Sequence, residues 1–319
     1  MILNTEVPND FITQLTLQGG KADENGRVTF PENIGRGYVK LVNTIPGLSI
    51  LVQQFEVFEP FLIKRLKHEA PGNTLIFSFR NLDVNSSMAS MARWPAVQVS
   101  TSDMAMDIQV APHRFISNII LGIDINWLKP ILTVDSAYNR LEKLMNNQQP
   151  YLYEELISPA INKVANEVFN ADNREEALSA LFYKIKAEEL IYLFLSEFLK
   201  RNTLRYYALN QHDLQQIYGV KEHIINRLDT APALPALARM AGMSVSKLGK
   251  LFRQVFGDSI YNYYQKVRMQ HAAFLLREKK VSVSEVGYTL GFTNLSHFTR
   301  LFEKHMGIKP KKYSIAAVL

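Results

Sequence analysis

Between Leu237 and Tyr313 the chain repeats itself, and that repeat constrains its fold more than any other feature. At a shift of fifty positions Ser246 matches Ser296, Leu248 matches Phe298 and Lys250 matches Arg300. Leu251-Phe252 likewise match Leu301-Phe302, Gly257 matches Gly307 and Tyr263 matches Tyr313. Upstream of Ser246 the match holds at a shift of forty-nine, pairing Leu237 with Val286, Gly242 with Gly291 and Met243 with Phe292, so the second copy carries one extra residue in its turn. Apolar residues at three- and four-residue steps, closed by glycine and preceded by a short apolar stretch, describe two helices joined by a tight turn. Keeping that pattern twice predicts an all-helical C-terminal region built from two equivalent units.

The second copy shows how each unit is assembled. Ser282 and Glu285 stand three apart before Val283, Val286 and Leu290, a capping-box start followed by a core-facing stripe that ends at Gly291. Asn294 is a good N-cap, and Phe298, Leu301, Phe302 and Met306 recur at helical spacing until Gly307. The opposite side carries Ser296, His297, Thr299, Arg300 and Lys304, short polar or basic groups able to reach base edges and phosphates in a major groove. In the first copy the corresponding side carries Ser246, Lys247 and Lys250, while Gly249 leaves an outward position without a side chain. These residues, with Asn294, are the candidate DNA-contact set, on recognition helices predicted over Ser244–Val255 and Asn294–His305.

Charge points the same way. Residues 212–319 hold 16 Lys+Arg against 7 Asp+Glu, a net +9. The remaining 20 against 23 leave residues 1–211 at −3, within a chain total of +6. A basic region of this size favours polyanions through counterion release.

The tandem resembles the DNA-binding domain of the AraC/XylS family of bacterial transcription regulators, over roughly Leu214 to Tyr313. The resemblance rests on Arg268, Ala272, Leu275-Leu276, Val283, Val286, Gly291-Phe292, Ser296, Phe298, Arg300, Phe302, Gly307, Pro310 and Tyr313, in this order and spacing. Where the family pattern has Ile-Ala before the second turn this chain has Val286-Gly287, and a glycine inside a helix, costing about 1 kcal/mol against alanine, implies close packing between helices. The resemblance further implies a cupin-like sensor domain that takes a small-molecule effector, a homodimer, and an RNA polymerase contact of the kind an activator makes.

The N-terminal half is read independently as strands. Leu48–Val52, Thr74–Phe79 and Met104–Val110 are β-prone runs separated by turn signals at Pro46-Gly47 and Pro71-Gly72-Asn73, which predicts a small barrel or jelly roll. Its only histidines are His68 and His113, without ligand spacing, so a metal site is not expected. His113 beside Arg114 offers either an anion contact or a partly exposed turn. Trp94 with Phe55, Phe58, Phe61, Phe77 and Phe79 either lines a ligand pocket or fills the core, and alternation along strands favours filling. No nucleophile elbow, phosphate loop or zinc-protease helix occurs, and there is no cysteine, so thiol chemistry and disulfides are excluded and neither catalysis nor a cofactor is expected. The N-terminus lacks a signal-peptide pattern and the most apolar window, Leu190–Leu199, is too short to span a bilayer, so no membrane association and a cytoplasmic location are expected.

From Asp135 to Arg201 the period becomes helical. Leu141, Leu144 and Met145 mark one helix, Ser158-Pro159 start a second, and Asn173 with Glu176 open a long third. The third is apolar over more than one face, so it either packs one side on the barrel and another on a partner subunit or lies wholly inside. Residues 202–213, polar and aromatic, read as a linker. The expectation is thus a multidomain α+β chain: a cupin-like β-barrel sensor over 1–130, a helical dimerisation segment over 131–205, a linker over 206–213 and the all-α domain with two helix-turn-helix motifs over 214–319. The function expected is a ligand-responsive, sequence-specific regulator acting on double-stranded DNA. Control by a protein partner, and a cupin-type enzyme fused to a DNA-binding module, are the alternatives.

Overall fold

Ile50, Leu51 and Val52 are consecutive, apolar and all buried, which a strand tolerates only where both faces of its sheet are covered. The computed structural model, which describes residues 2–5, 8–23, 26–66, 74–82, 95–132, 152–171, 176–199, 209–278 and 281–316, shows what covers them. The described chain divides into two compact units, one extending to Gln211 and the other beginning at His212.

The first unit holds strands β1 (Ile2–Thr5), β2 (Lys21–Ala22), β3 (Arg27–Thr29), β4 (Gly35–Ile45), β5 (Leu48–Val57) and β6 (Phe61–Arg65). It continues with β7 (Thr74–Arg80), β8 (Ala96–Thr101), β9 (Met106–Val110), β10 (Phe115–Asp124) and β11 (Leu152–Leu156). Eight of them form an antiparallel sheet in the order β11-β8-β7-β10-β5-β4-β3-β2, and β1-β6-β9 form a smaller sheet in which β1 runs parallel to β6. Among the described residues β11 and β2 end the large sheet without pairing to each other. The expected barrel is therefore corrected to an antiparallel sheet and a second small sheet, with no closed ring of strands.

Alternate residues of the large sheet go to different cores. Leu51, Phe55, Val57 and Ile116 meet Phe61 and Val110 of the small sheet, together with Phe11 and Leu15 of helix α1 (Pro8–Leu17). Leu48, Ile50, Val52, Phe77, Phe79, Val99 and Leu121 turn the other way. After a short α2 (Ile125–Leu128), helices α3 (Pro159–Phe169) and α4 (Glu176–Leu199) cover that second face. Phe194 meets Phe77 edge-on at 5.3 Å, and Tyr153 of β11 meets Phe198 at 5.3 Å. Each such ring is worth roughly 1.5–3 kcal/mol of buried apolar surface. The five phenylalanines singled out above thus split: Phe55 and Phe61 fill one core, Phe77 and Phe79 the other, and Phe58 is 36% exposed. Trp94 and His68 lie outside the described residues.

Ser158 caps α3 by accepting from the Ile161 amide, with Pro159 in the first turn, as the sequence predicts. Lys186 pins α4 to α3, its Nζ 2.5 Å from Glu167 and 2.8 Å from Glu189, and the bond to Glu167 leads in raising its pKa. One side of α4 buries Tyr183, Leu190, Ile191, Phe194, Leu195 and Phe198; the opposite side exposes Leu178, Leu181, Ile185 and Tyr192, between 50% and 69% open. Ile191 and Leu195 are thus core residues, and the outward stripe lies elsewhere. The helix expected around Leu141 and the cap expected at Asn173 fall outside the described residues. Strand β11 is an unforeseen piece of sheet within the segment read as helical; it completes the edge beside β8.

The second unit is helical: α5 (Gln211–Ile225), α6 (Leu234–Met240), α7 (Val245–Phe256), α8 (Ile260–Glu278), α9 (Val283–Thr289), α10 (Leu295–Met306) and α11 (Pro310–Ala316). The predicted linker ends sooner than expected, because Gln211 to Asp213 form the first turn of α5.

Candidate nucleic-acid interface

Both predicted units form, and both are closed by the residues that predicted them. Ser244 Oγ accepts from the Lys247 amide at the start of α7, and Gly257 ends it in the left-handed region. Asn294 Oδ1 accepts from the amides of Ser296 and His297 at the start of α10, and Gly307 ends it in the same conformation. Ser282 caps α9 through the Glu285 amide. Each recognition helix buries one stripe, Leu248, Leu251 and Phe252 in α7, Phe298 and Phe302 in α10.

Helix α8, which runs from Ile260 to Glu278, joins the two pairs. Val267, Met269 and Ala272 are fully buried along it. Tyr264 donates to the Leu228 carbonyl at 3.1 Å, tying α8 to the segment before α6. Arg268, also buried, donates to the Leu290 carbonyl at the end of α9 and lies 3.7 Å from the Phe292 ring centroid. Burial lowers the pKa of this guanidinium, an effect Tyr264 opposes. A cation taken out of water this way is held by bonds and a ring face. The second turn is built to touch: a Cβ at Gly291 would lie 2.0 Å from the Asp229 carbonyl oxygen, and its φ is +74°. Gly287 packs as its sequence implies, since a Cβ there would meet Leu295 Cδ2 at 2.6 Å.

Of the nine candidate contact residues, Ser246, Lys247, Lys250, Asn294, Ser296, His297, Arg300 and Lys304 are exposed and Thr299 is half-buried. Several make contacts within the domain. Asn294 spends its carboxamide oxygen on the cap. Lys247 Nζ lies 2.9 Å from Asp213 in the first turn of α5. The His297 ring meets Phe292 edge-on at 5.7 Å. Arg253, exposed three residues beyond Lys250 on the same stripe, extends the basic surface and was missed, although i, i+3 spacing marks it. In the first unit His113 is exposed, has a positive φ of 55° and stacks on Phe58, with Glu56 3.9 Å from its Nδ1. That geometry fits the exposed turn. Among the described residues no cluster of His, Cys, Asp or Glu could hold a metal ion, and no helix is long and apolar enough to cross a membrane.

Two capped helix pairs on a common connecting helix, with polar and basic outer stripes, define a tandem helix-turn-helix protein. Residues 237–314 match the family described as a helix-turn-helix domain. The chain is 33% identical over 85 residues to the HTH-type transcriptional regulator GlxA of Rhizobium meliloti, a match covering 25% of this chain and 26% of that protein. It is 27% identical over 158 residues to the HTH-type transcriptional activator RhaR of Yersinia pseudotuberculosis, covering 49% and 51%. Among solved structures, an AraC-type transcriptional regulator from Chromobacterium violaceum aligns with 34% of this chain and 96% of its own, at 22% identity and a TM-score of 0.32. The matches to these two curated relatives span between about a quarter and half of the relatives' length.

Proposed function

We propose that this chain is a sequence-specific transcription regulator that binds double-stranded DNA through α7 and α10 in successive major grooves. The observation that carries the reading is the doubled capped helix with its exposed polar stripe, braced on α8 by Tyr264 and Arg268. Ser246, Lys250, Ser296, His297, Thr299, Arg300 and Lys304 are the DNA-facing set, joined by Arg253. Lys247 reaches DNA by exchanging Asp213 for phosphate, and Asn294 contributes by ordering the first turn of α10.

In this reading the first unit is a cupin-like double-sheet sensor for a small-molecule effector, supported by the core that the two sheets share around Phe55 and Phe61. Homodimerisation uses Leu178, Leu181, Ile185 and Tyr192, which recur at three-, four- and seven-residue steps on the solvent side of α4. A bound dimer then contacts RNA polymerase from a fixed position on DNA, in the cytoplasm. The test is footprinting of the purified chain on fragments enriched from a genomic duplex library. Each monomer should protect two segments of one DNA face about 10 bp, roughly 34 Å, apart; protection of a single segment per monomer overturns the tandem mode.

A further inference from the structure

The two recognition helices share a fold and differ in what they present. Along the outer stripe α7 reads Ser246, Gly249, Lys250 and Arg253, and the matching positions of α10 read Ser296, Thr299, Arg300 and Glu303. A Cβ built on Gly249 meets nothing within 4 Å, so the stripe of α7 is bare in its middle. Thr299 fills the equivalent place with a hydroxyl and a methyl, both of which can meet base edges. One step on, α7 has the point charge of Lys250 where α10 has the planar fork of Arg300, the group that pairs bidentately with guanine.

The last position inverts the charge. Arg253 suits a phosphate, whereas the half-exposed carboxylate of Glu303 is repelled by phosphates and is favourable at a DNA surface where it accepts from a base, as from the cytosine amino group. In all, α7 carries three Lys or Arg and no acidic residue, α10 two Lys or Arg and one acidic residue. The Lys247–Asp213 pair adds to this contrast, because a lysine already matched to one carboxylate takes up phosphate by exchange of anions and reads no base.

We infer that the two copies divide recognition unequally: α10 discriminates sequence through Thr299, Arg300 and Glu303, while α7 supplies mainly phosphate attraction. This rests on the DNA-binding reading above and assigns specificity within it. Base edges carry sequence information and phosphates carry none, so the helix with a bare stripe and uniform positive charge holds the register that the other helix reads.

The test uses the full chain and an enriched duplex from the footprinting experiment, with every base pair of both protected segments substituted in turn. Substitutions under α10 should weaken binding about tenfold or more, and those under α7 about threefold or less. Arg300→Ala and Glu303→Gln should each flatten the preference at one position of the sensitive segment. Arg253→Ala should weaken all duplexes alike and lower the slope of log affinity against log salt by about one. Gly249→Asn, placed where there is open space, should create a preference in the α7 segment. Equal sensitivity of the two segments, or a sensitive segment that responds to Lys250→Ala and ignores Arg300→Ala, overturns the division while leaving DNA binding intact. Insensitivity of both segments overturns sequence-specific recognition itself, and the division with it.

Discussion

Arg268 and Leu290 are joined by a guanidinium–carbonyl bond, Nε to O at 2.8 Å, with Nη2 donating to the same oxygen. The carbonyl belongs to the C-cap of α9, where helical partners run out, so the bond from α8 closes a helix end and fixes the second turn to the connecting helix at once. Arg268→Met keeps much of the stem and removes the fork, and should cost about 2–4 kcal/mol through lost charged hydrogen bonds and the Phe292 stack. Native-state hydrogen exchange should show the amides of α9 and α10 losing protection before those of α7. Uniform loss across both helix pairs would refute a local brace.

Three glycines of the second unit should respond differently to alanine. At Gly249 nothing obstructs a methyl, so Gly249→Ala should stabilise by about 1 kcal/mol. At Gly287 the obstacle is the far end of the Leu295 side chain, which can turn aside, so Gly287→Ala should fall within about 1 kcal/mol of wild type while Gly287→Val loses about 1–3. At Gly291 both the positive φ and the Asp229 backbone oppose a side chain, and Gly291→Ala should lose more than about 2 kcal/mol. Urea midpoints rank the three; any order other than Gly249, Gly287, Gly291 contradicts the packing described.

On α4, Ile185→Glu places a charge on the solvent side, and the protein should remain folded while light scattering reports a monomer. Ile191→Glu buries an unpaired carboxylate against the large sheet and should destabilise by about 3 kcal/mol or more. A persistent dimer in Ile185→Glu would move the interface off this stripe.

Arg300→Ala should cost about 1–3 kcal/mol on the best duplex and relax one position, whereas Lys304→Ala should weaken all duplexes equally and reduce the salt slope by about one. Identical loss of selectivity in both variants would remove the distinction between base and phosphate contact.

The imidazole of His305, although partly open to solvent, is held below its ordinary pKa of 6.5 first by burial and then by Lys304 and Lys266. The unfolded chain therefore binds this proton more readily than the folded one, and stability falls as pH drops below about 6.5. His305→Gln should flatten that acid-side decline in urea midpoints recorded between about pH 5 and 7; an unchanged slope assigns the decline to other groups.

Much of the second unit was legible because its signals are local. A cap such as Ser282 or Asn294 acts within three residues of itself, and the apolar spacing of Phe298 and Phe302 is a property of one helix. Even Gly287 announced its packing, since only a close neighbour offsets its cost in a helix. The start of the connecting helix carries no such local mark, because Tyr261, Tyr263 and Tyr264 follow Ile260 without one-sided periodicity.

What the sequence by itself determined is the doubled helix pair, its caps and turns, the outward polar stripe and the strand runs of the N-terminal half, all written in residues that interact over a few positions. Only the tertiary structure decided which apolar residues of α4 face out, because Ile191 and Ile185 are chemically identical and differ only in having the large sheet on one side. It also decided that, among the described residues, the two ends of the large sheet do not pair with each other, that β11 joins its edge, and that Lys247 is held by Asp213. These depend on contacts between residues far apart in the chain, whose partners no local pattern specifies.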